Sequence, residues 1–264
     1  MRLGPNPHYF AGRNGVNVYE IMNYEAVEET IKAGYREVSS QYRSDDEIEV
    51  TTANHQRICA ILQRICGSFP HPIQALEVGC GTGRNFHCLT NVDKLTGMDI
   101  SEDMLHAAET DPVRKEMISV KSIKLIRGNA YLASFPPESF HFIYSLGMFG
   151  NGCPVTKEIC DRFYDWLKPG GMVYFNTVDF AGLPWWYRAR RRTRDFVYPM
   201  LTRGLKNVLD ERESRQPWFS MNRKQLEEVL RATRFKAFQV ASHVCRSPLW
   251  TGRHLECIAG KEAA

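Results

Sequence analysis

The sequence predicts an α/β fold: a seven-stranded, mostly parallel sheet with helices on both faces. Three observations carry this. Short apolar runs alternate with helical stretches along most of the chain. The run Ala75-Leu76-Glu77-Val78 stops in Gly79-Cys80-Gly81-Thr82-Gly83, three glycines at alternate positions. A second acid, Asp99, follows Glu77 by 22 positions, at the end of another short apolar run. Strands separated by helices argue for parallel pairing, because each crossover must carry a helix over the sheet.

Strands are expected near 74–78, 94–99, 123–127, 140–145, 171–177, 235–241 and 254–259. Helices fit over Val50–Cys66, 84–90, 102–109, 155–167 and 222–233, with a further helical stretch at 19–40. Ser101 and Asn222 are placed to cap the helices they precede. Right-handed crossovers put the first strand in the middle and a ligand at the carboxyl ends of strands one, two and four. Residues 1–66 read as an N-terminal helical cap, and 67–264 as the main domain with an insertion at 180–221.

Glycine has no side chain and tolerates positive φ, so a strand ending in this turn lets a ligand lie on the backbone. A dinucleotide fingerprint would need its third glycine at position 84, which is Arg84. The spacing therefore favours an adenosine-type ligand without a diphosphate. An acid about 20 residues beyond such a turn can accept hydrogen bonds from ribose hydroxyls. Asp99 could instead cap the following helix, a task for which Ser101 is already well placed.

With these residues in place, the chain resembles the class I S-adenosylmethionine-dependent methyltransferases. Glu77 to Gly83 looks like the first motif of that superfamily and Asp99 like its second. Gly128-Asn129-Ala130 is similar to the third, with Asn129 where an Asp usually stands. Phe142 to Gly147 is similar to the fourth strand and the loop over the cofactor, and Leu167 to Val173 to the turn before the fifth. The resemblance covers about residues 70 to 180. It implies a Rossmann-like sheet with an antiparallel last strand at one edge, and S-adenosylmethionine as cofactor. It implies cofactor contacts from Tyr35, Glu77, Gly79, Cys80, Gly81, Gly83, Asp99, Ile100, Met104, Asn129, Ala130, Ser145 and Leu146.

The insertion opens Phe180-Ala181-Gly182-Leu183-Pro184-Trp185-Trp186-Tyr187-Arg188, then turns strongly basic. A connection this long between strands suits a functional lid. Trp185, Trp186, Tyr187 and Arg188, with Tyr42 from the N-terminal segment, are the expected acceptor-binding residues. The basic run fits a solvated helix face, an anionic substrate or, less well, nucleic acid. Tyr35 and Tyr42 lie seven apart and share a helical face, as core or as a lid.

At 264 residues, 43% hydrophobic and with a formal charge of +4, the chain can bury a sizeable core and gives no nucleic-acid argument by charge alone. It lacks a long apolar run and an apolar signal core at its start, so a cytoplasmic protein with no membrane span is expected. Its eight cysteines form no C-x-x-C pair and read as reduced thiols rather than a disulfide framework or zinc site. His87-Cys88 cannot by themselves build a tetrahedral site, and metal independence is expected.

Methyl transfer mainly requires a nucleophile held in line with an activated carbon. Asn151, Cys153, Asp179 and His243 are candidate groups near the site, none compelling as a base. His141 and His254 each open a strand and are expected at the opposite edge. The expected activity is transfer of a methyl group to oxygen or nitrogen of a small molecule, by a monomer or homodimer. The alternatives are methylation of a base in RNA such as tRNA, and a non-catalytic cofactor-binding domain.

Overall fold

The computed structural model describes residues 41–150, 153–182, 219–249 and 251–263. Residues 41–49 are helical, followed by α1 (Ala53–Gly67), β1 (Ile73–Val78), β2 (Val92–Asp99) and α2 (Glu102–Thr110). Then come β3 (Ser122–Arg127), β4 (Phe140–Ser145), α3 (Lys157–Trp166), β5 (Leu167–Val178), α4 (Arg223–Arg231), β6 (Ala237–Arg246) and β7 (Thr251–Gly260). The seven strands form one sheet in the order β3-β2-β1-β4-β5-β7-β6. β1 pairs in parallel with β2 and β4, so the strand that ends in the glycine turn is central.

Alternation along the strands sends successive side chains to opposite faces. In β4, Phe142 and Tyr144 join Leu62 and Ile65 of α1 and Leu105 and Ala108 of α2 in one core. Ile143 joins Phe163 and Trp166 of α3 and Leu226 and Leu230 of α4 in the other. The sheet is thus covered on both faces. Thr52, Ser101, Thr156 and Asn222 cap α1 to α4 with their side chains, and Asn222 with Gln225 makes a reciprocal capping box.

Three expectations need correction. The helix expected at 84–90 is one 3₁₀ turn, Phe86–Cys88. It has no side-chain cap; Asn85, at the capping position, donates its amide to Glu77. β7 is antiparallel as expected but lies between β5 and β6, so β6 takes the edge. This inserted antiparallel strand starts at the carboxyl edge. His254 therefore pairs with Val178 at the end of β5, and not at the opposite edge as its place in the strand suggests. The expected stretch at 19–40 lies outside the described residues. Among those described, no helix is long and apolar enough to cross a membrane.

Candidate cofactor site

A cleft open to solvent lies at the carboxyl ends of β1, β2 and β4. Its floor is the glycine turn, with φ of +73° at Gly79, +53° at Gly81 and +77° at Gly83. The three glycines serve different ends. A Cβ on Gly79 would sit 2.8 Å from Met148, and one on Gly83 2.6 Å from the Phe86 ring. A Cβ on Gly81 would meet nothing within 4 Å. Gly81 alone of the three turns a bare backbone to open space, which is what a ligand lying on the chain requires.

Asp99 closes the side of the cleft. Its Oδ2 accepts the Gly81 N–H at 2.8 Å and its Oδ1 the Ser101 N–H at 2.9 Å. A carboxylate has about four acceptor sites, so one on each oxygen remains for vicinal hydroxyls. Burial pushes its pKa up, against the backbone hydrogen bonds of Ser101 and Gly81. Asp99 thus braces the turn and lines the cleft, a double placement the sequence does not disclose.

Cys80, Gly79, Ile100, Met104, Asn129, Ala130 and Leu146 line the cleft, as the sequence leads one to expect. Asn129 Oδ1 also accepts the Tyr131 N–H at 3.0 Å, which folds the third-motif turn. Three expected contacts do not line it. Gly83 packs on Phe86, and Ser145 is fully buried with its hydroxyl unpartnered among the described residues.

Glu77, the third, is fully buried beneath the turn. The Asn85 amide donates to one of its oxygens and the Tyr144 hydroxyl to the other, both at 2.8 Å. It supports the cradle from below. Burial raises its pKa from 4.5 to about 7, although both hydrogen bonds oppose the rise. The native state therefore holds a proton that the unfolded chain releases above pH 4.5, and this stability is lost as pH rises to about 7. At 1.36 kcal/mol per unit, the loss is up to about 3 kcal/mol. Denaturant unfolding at pH 5 and pH 8 should show that drop in the wild type, and a drop smaller by most of that amount in Glu77→Gln. Equal drops would mean that Glu77 does not titrate in this range.

Tyr42 is also at the cleft wall, with Asp46 from the same helical stretch. Asp46, 2% exposed, accepts from Arg84 Nη1 at 3.0 Å and from the Thr82 hydroxyl. Arg84, which stands where a dinucleotide turn has glycine, is therefore the arm by which the N-terminal helix holds the turn. Asp46, Met148 and Tyr131 are cleft residues that the sequence reading misses. Their partners are far away in sequence, and no local pattern marks them.

The candidate bases fare differently. Cys153 lines the cleft, but burial, then the charge of Asp99, pushes its thiol up to about 12, so it is no thiolate at neutral pH. Asp179 is buried, accepting from the Ser242 hydroxyl at 3.0 Å and the Ala181 N–H at 2.9 Å. His243 lies within β6, opposite His254. Neither Asp179 nor His243 lines the cleft. Tyr35, Asn151, Trp185, Trp186, Tyr187 and Arg188 lie outside the described residues. The two ends of the insertion are described. Met221 bridges Asp179, and the Phe219 N–H donates to Gly150 O at 2.7 Å. The segment thus leaves and returns beside the loop that carries Gly147 and Met148.

Comparison with known proteins agrees with this geometry. A family described as a methyltransferase domain matches residues 75–171. The demethylmenaquinone methyltransferase of Staphylococcus aureus is 28% identical over 132 residues, 48% of this chain and 52% of that protein. That of Lysinibacillus sphaericus is 26% identical over 131 residues, 48% of this chain and 53% of that protein. The chain spans about half the length of these curated relatives. Among solved structures, an S-adenosylmethionine-dependent methyltransferase from Thermotoga maritima superposes with a TM-score of 0.54 at 15% identity, over 88% of this chain and all of that one. A phosphoethanolamine N-methyltransferase of Haemonchus contortus, solved with phosphomonomethylethanolamine and S-adenosylhomocysteine, gives 0.53 at 18% identity, over 79% of this chain and 53% of that one.

Residues 75–171 match a methyltransferase domain, and the fold is that of the class I S-adenosylmethionine-dependent methyltransferase superfamily. The cofactor of that superfamily, S-adenosylmethionine, fits the cleft. Open space stands over Gly81 where a side chain would block a ligand, and Asp99 keeps acceptor capacity for ribose hydroxyls.

Proposed function

We propose that the protein transfers a methyl group from S-adenosylmethionine to an oxygen or nitrogen atom of a small organic acceptor. The observation that carries this reading is the pairing of Gly81 and Asp99 in one cleft, with the described ends of the insertion beside the loop that carries Gly147 and Met148. Asp99 would take the ribose, Asn129 and Ala130 the adenine side, and the Gly79–Gly83 turn the amino-acid tail. The bound cofactor supplies a methyl carbon already activated by its sulfonium charge. The chain's task is then to hold an acceptor lone pair in line with that carbon.

The cleft wall beyond the turn is neutral and largely apolar, with Leu146, Met148 and Cys153. Among the described residues its one guanidinium, Arg84, is tied to Asp46. This suits a small, mostly apolar acceptor better than a polyanion. The relatives named above are themselves named for small acceptors. No described cleft residue is free to act as a strong base. An amine, or an acceptor that loses its proton to water, fits best.

Incubating the full chain with methyl-labelled S-adenosylmethionine and a panel of small quinols, phenols and amines should place label in a small molecule. Label in tRNA alone would give the RNA reading. Tight cofactor binding without transfer to any acceptor would give the non-catalytic one.

Trp185 and Trp186 are assigned to the acceptor. The paired change Trp185→Ala with Trp186→Ala should raise the acceptor KM, or lower kcat through misalignment, by at least about tenfold. S-adenosylhomocysteine affinity should stay within a few-fold. Equal loss of both would mean that these aromatics belong to the fold and not to the acceptor.

A further inference from the structure

Behind the glycine turn, on the face covered by α1, four metal-ligating side chains meet. His55 and Cys59 stand one turn apart on α1, and His87 and Cys88 are adjacent in the 3₁₀ turn after the glycines. Their ligand atoms all lie within 4.8 Å of one another. The structure pairs Cys59 with Cys88 as a disulfide, contrary to the expectation of reduced thiols throughout. Among the described residues, the other six cysteines are free.

A disulfide accounts for the two sulfurs; beside it the two imidazoles lie within hydrogen-bonding distance of each other. His55 Nε2 lies 3.3 Å from His87 Nε2, 3.4 Å from Cys59 Sγ and 3.5 Å from Cys88 Sγ. His87 Nε2 lies 3.9 and 3.7 Å from the same sulfurs. Two imidazole nitrogens and two sulfurs thus converge on one point from two separate elements. A tetrahedral zinc with bonds of about 2.3 Å to sulfur and about 2.05 Å to nitrogen has edges of about 3.3 Å between nitrogens and about 3.6 Å between nitrogen and sulfur. The five edges, from 3.3 to 3.9 Å, lie close to those values. The sixth, between the sulfurs, reaches its tetrahedral length when the bond is reduced and the side chains rotate apart.

We propose that His55, Cys59, His87 and Cys88, in the reduced protein, form a structural zinc site that clamps α1 to the segment following the glycine turn. The ligand set favours zinc: two thiolates and two imidazoles, with no carboxylate among them. Two thiolates cancel the charge of the ion, so the complex is neutral and suits its buried position. Four protein ligands leave no position open for substrate, which assigns the ion to structure and not to chemistry. Cys59, only half-buried, gives a way in, whereas His55, His87 and Cys88 are buried.

The clamp has a definite point of action. The two residues just before His87 are Asn85, which holds Glu77, and Phe86, which packs on Gly83. Fixing this turn to α1 fixes both supports of the cofactor cradle. Taken alone, His87-Cys88 cannot make a tetrahedral site; the fold brings the other half from about 30 residues away.

The test is elemental analysis of the full chain purified in the presence of a thiol reductant. About one zinc per chain is expected, with all eight cysteines titratable after the metal is chelated. Cobalt added to the chelated wild-type chain should give tetrahedral d–d bands and sulfur-to-cobalt charge transfer. Cys59→Ser and His55→Gln should each lower zinc content at least about fivefold. The cobalt spectrum needs no variant, so it decides the matter even if a variant fails to fold. Zinc below about a tenth per chain, a cobalt spectrum without sulfur ligation, zinc retained in the folded variants, or a disulfide that survives the reductant would each overturn the proposal.

Discussion

Replacing Gly81 by valine is expected to abolish S-adenosylhomocysteine binding while leaving a folded protein. The position has φ +53°, where a β-branched residue is strained, and its Cβ would point into open cleft. The strain costs about 1–3 kcal/mol. At roughly 2–4 °C per kcal/mol for a domain of this size, the melting temperature should fall by about 2–12 °C. The ligand suffers more, because a branched side chain would stand where its backbone contact must lie. A loss of at least about 100-fold, or about 2.8 kcal/mol, is expected by titration calorimetry. Gly83→Ala is the contrasting change. Its Cβ would strike the Phe86 ring at 2.6 Å, so it should damage packing and stability rather than meet the ligand. A folded Gly81→Val protein with normal affinity would show that the turn does not face the cofactor.

Asp99→Ala should weaken cofactor binding by about 100-fold or more. Two charge-assisted hydrogen bonds to ribose contribute roughly 1.5–3 kcal/mol each, and every 1.4 kcal/mol is tenfold in affinity. The change also frees the Gly81 and Ser101 N–H groups, so the turn loses its brace. Asp99→Asn keeps an acceptor oxygen and should fall between the wild type and the alanine variant. Unchanged affinity in Asp99→Ala would reduce the residue to a brace for the turn and the start of α2.

The sheet was legible wherever strand, turn and cap agree locally. The glycine turn, Asp99 at the tip of β2, and the caps Ser101 and Asn222 are all read from neighbours in sequence and stand as read. What was not legible depends on distant partners. Asp46 meets Thr82 and Arg84 across 36 and 38 positions. Glu77 sits in the first motif yet is fully buried beneath the turn, where Asn85 and Tyr144 each donate to one of its oxygens. His254 was misplaced because the direction of β7 is set by its pairing with β5 and β6, and nothing in its own residues records that.

Titration calorimetry of the full chain with S-adenosylhomocysteine and, separately, with NADH tests the central claim most directly. Saturable one-site binding of S-adenosylhomocysteine with no heat from NADH is the predicted result. Binding of NADH without S-adenosylhomocysteine would contradict it.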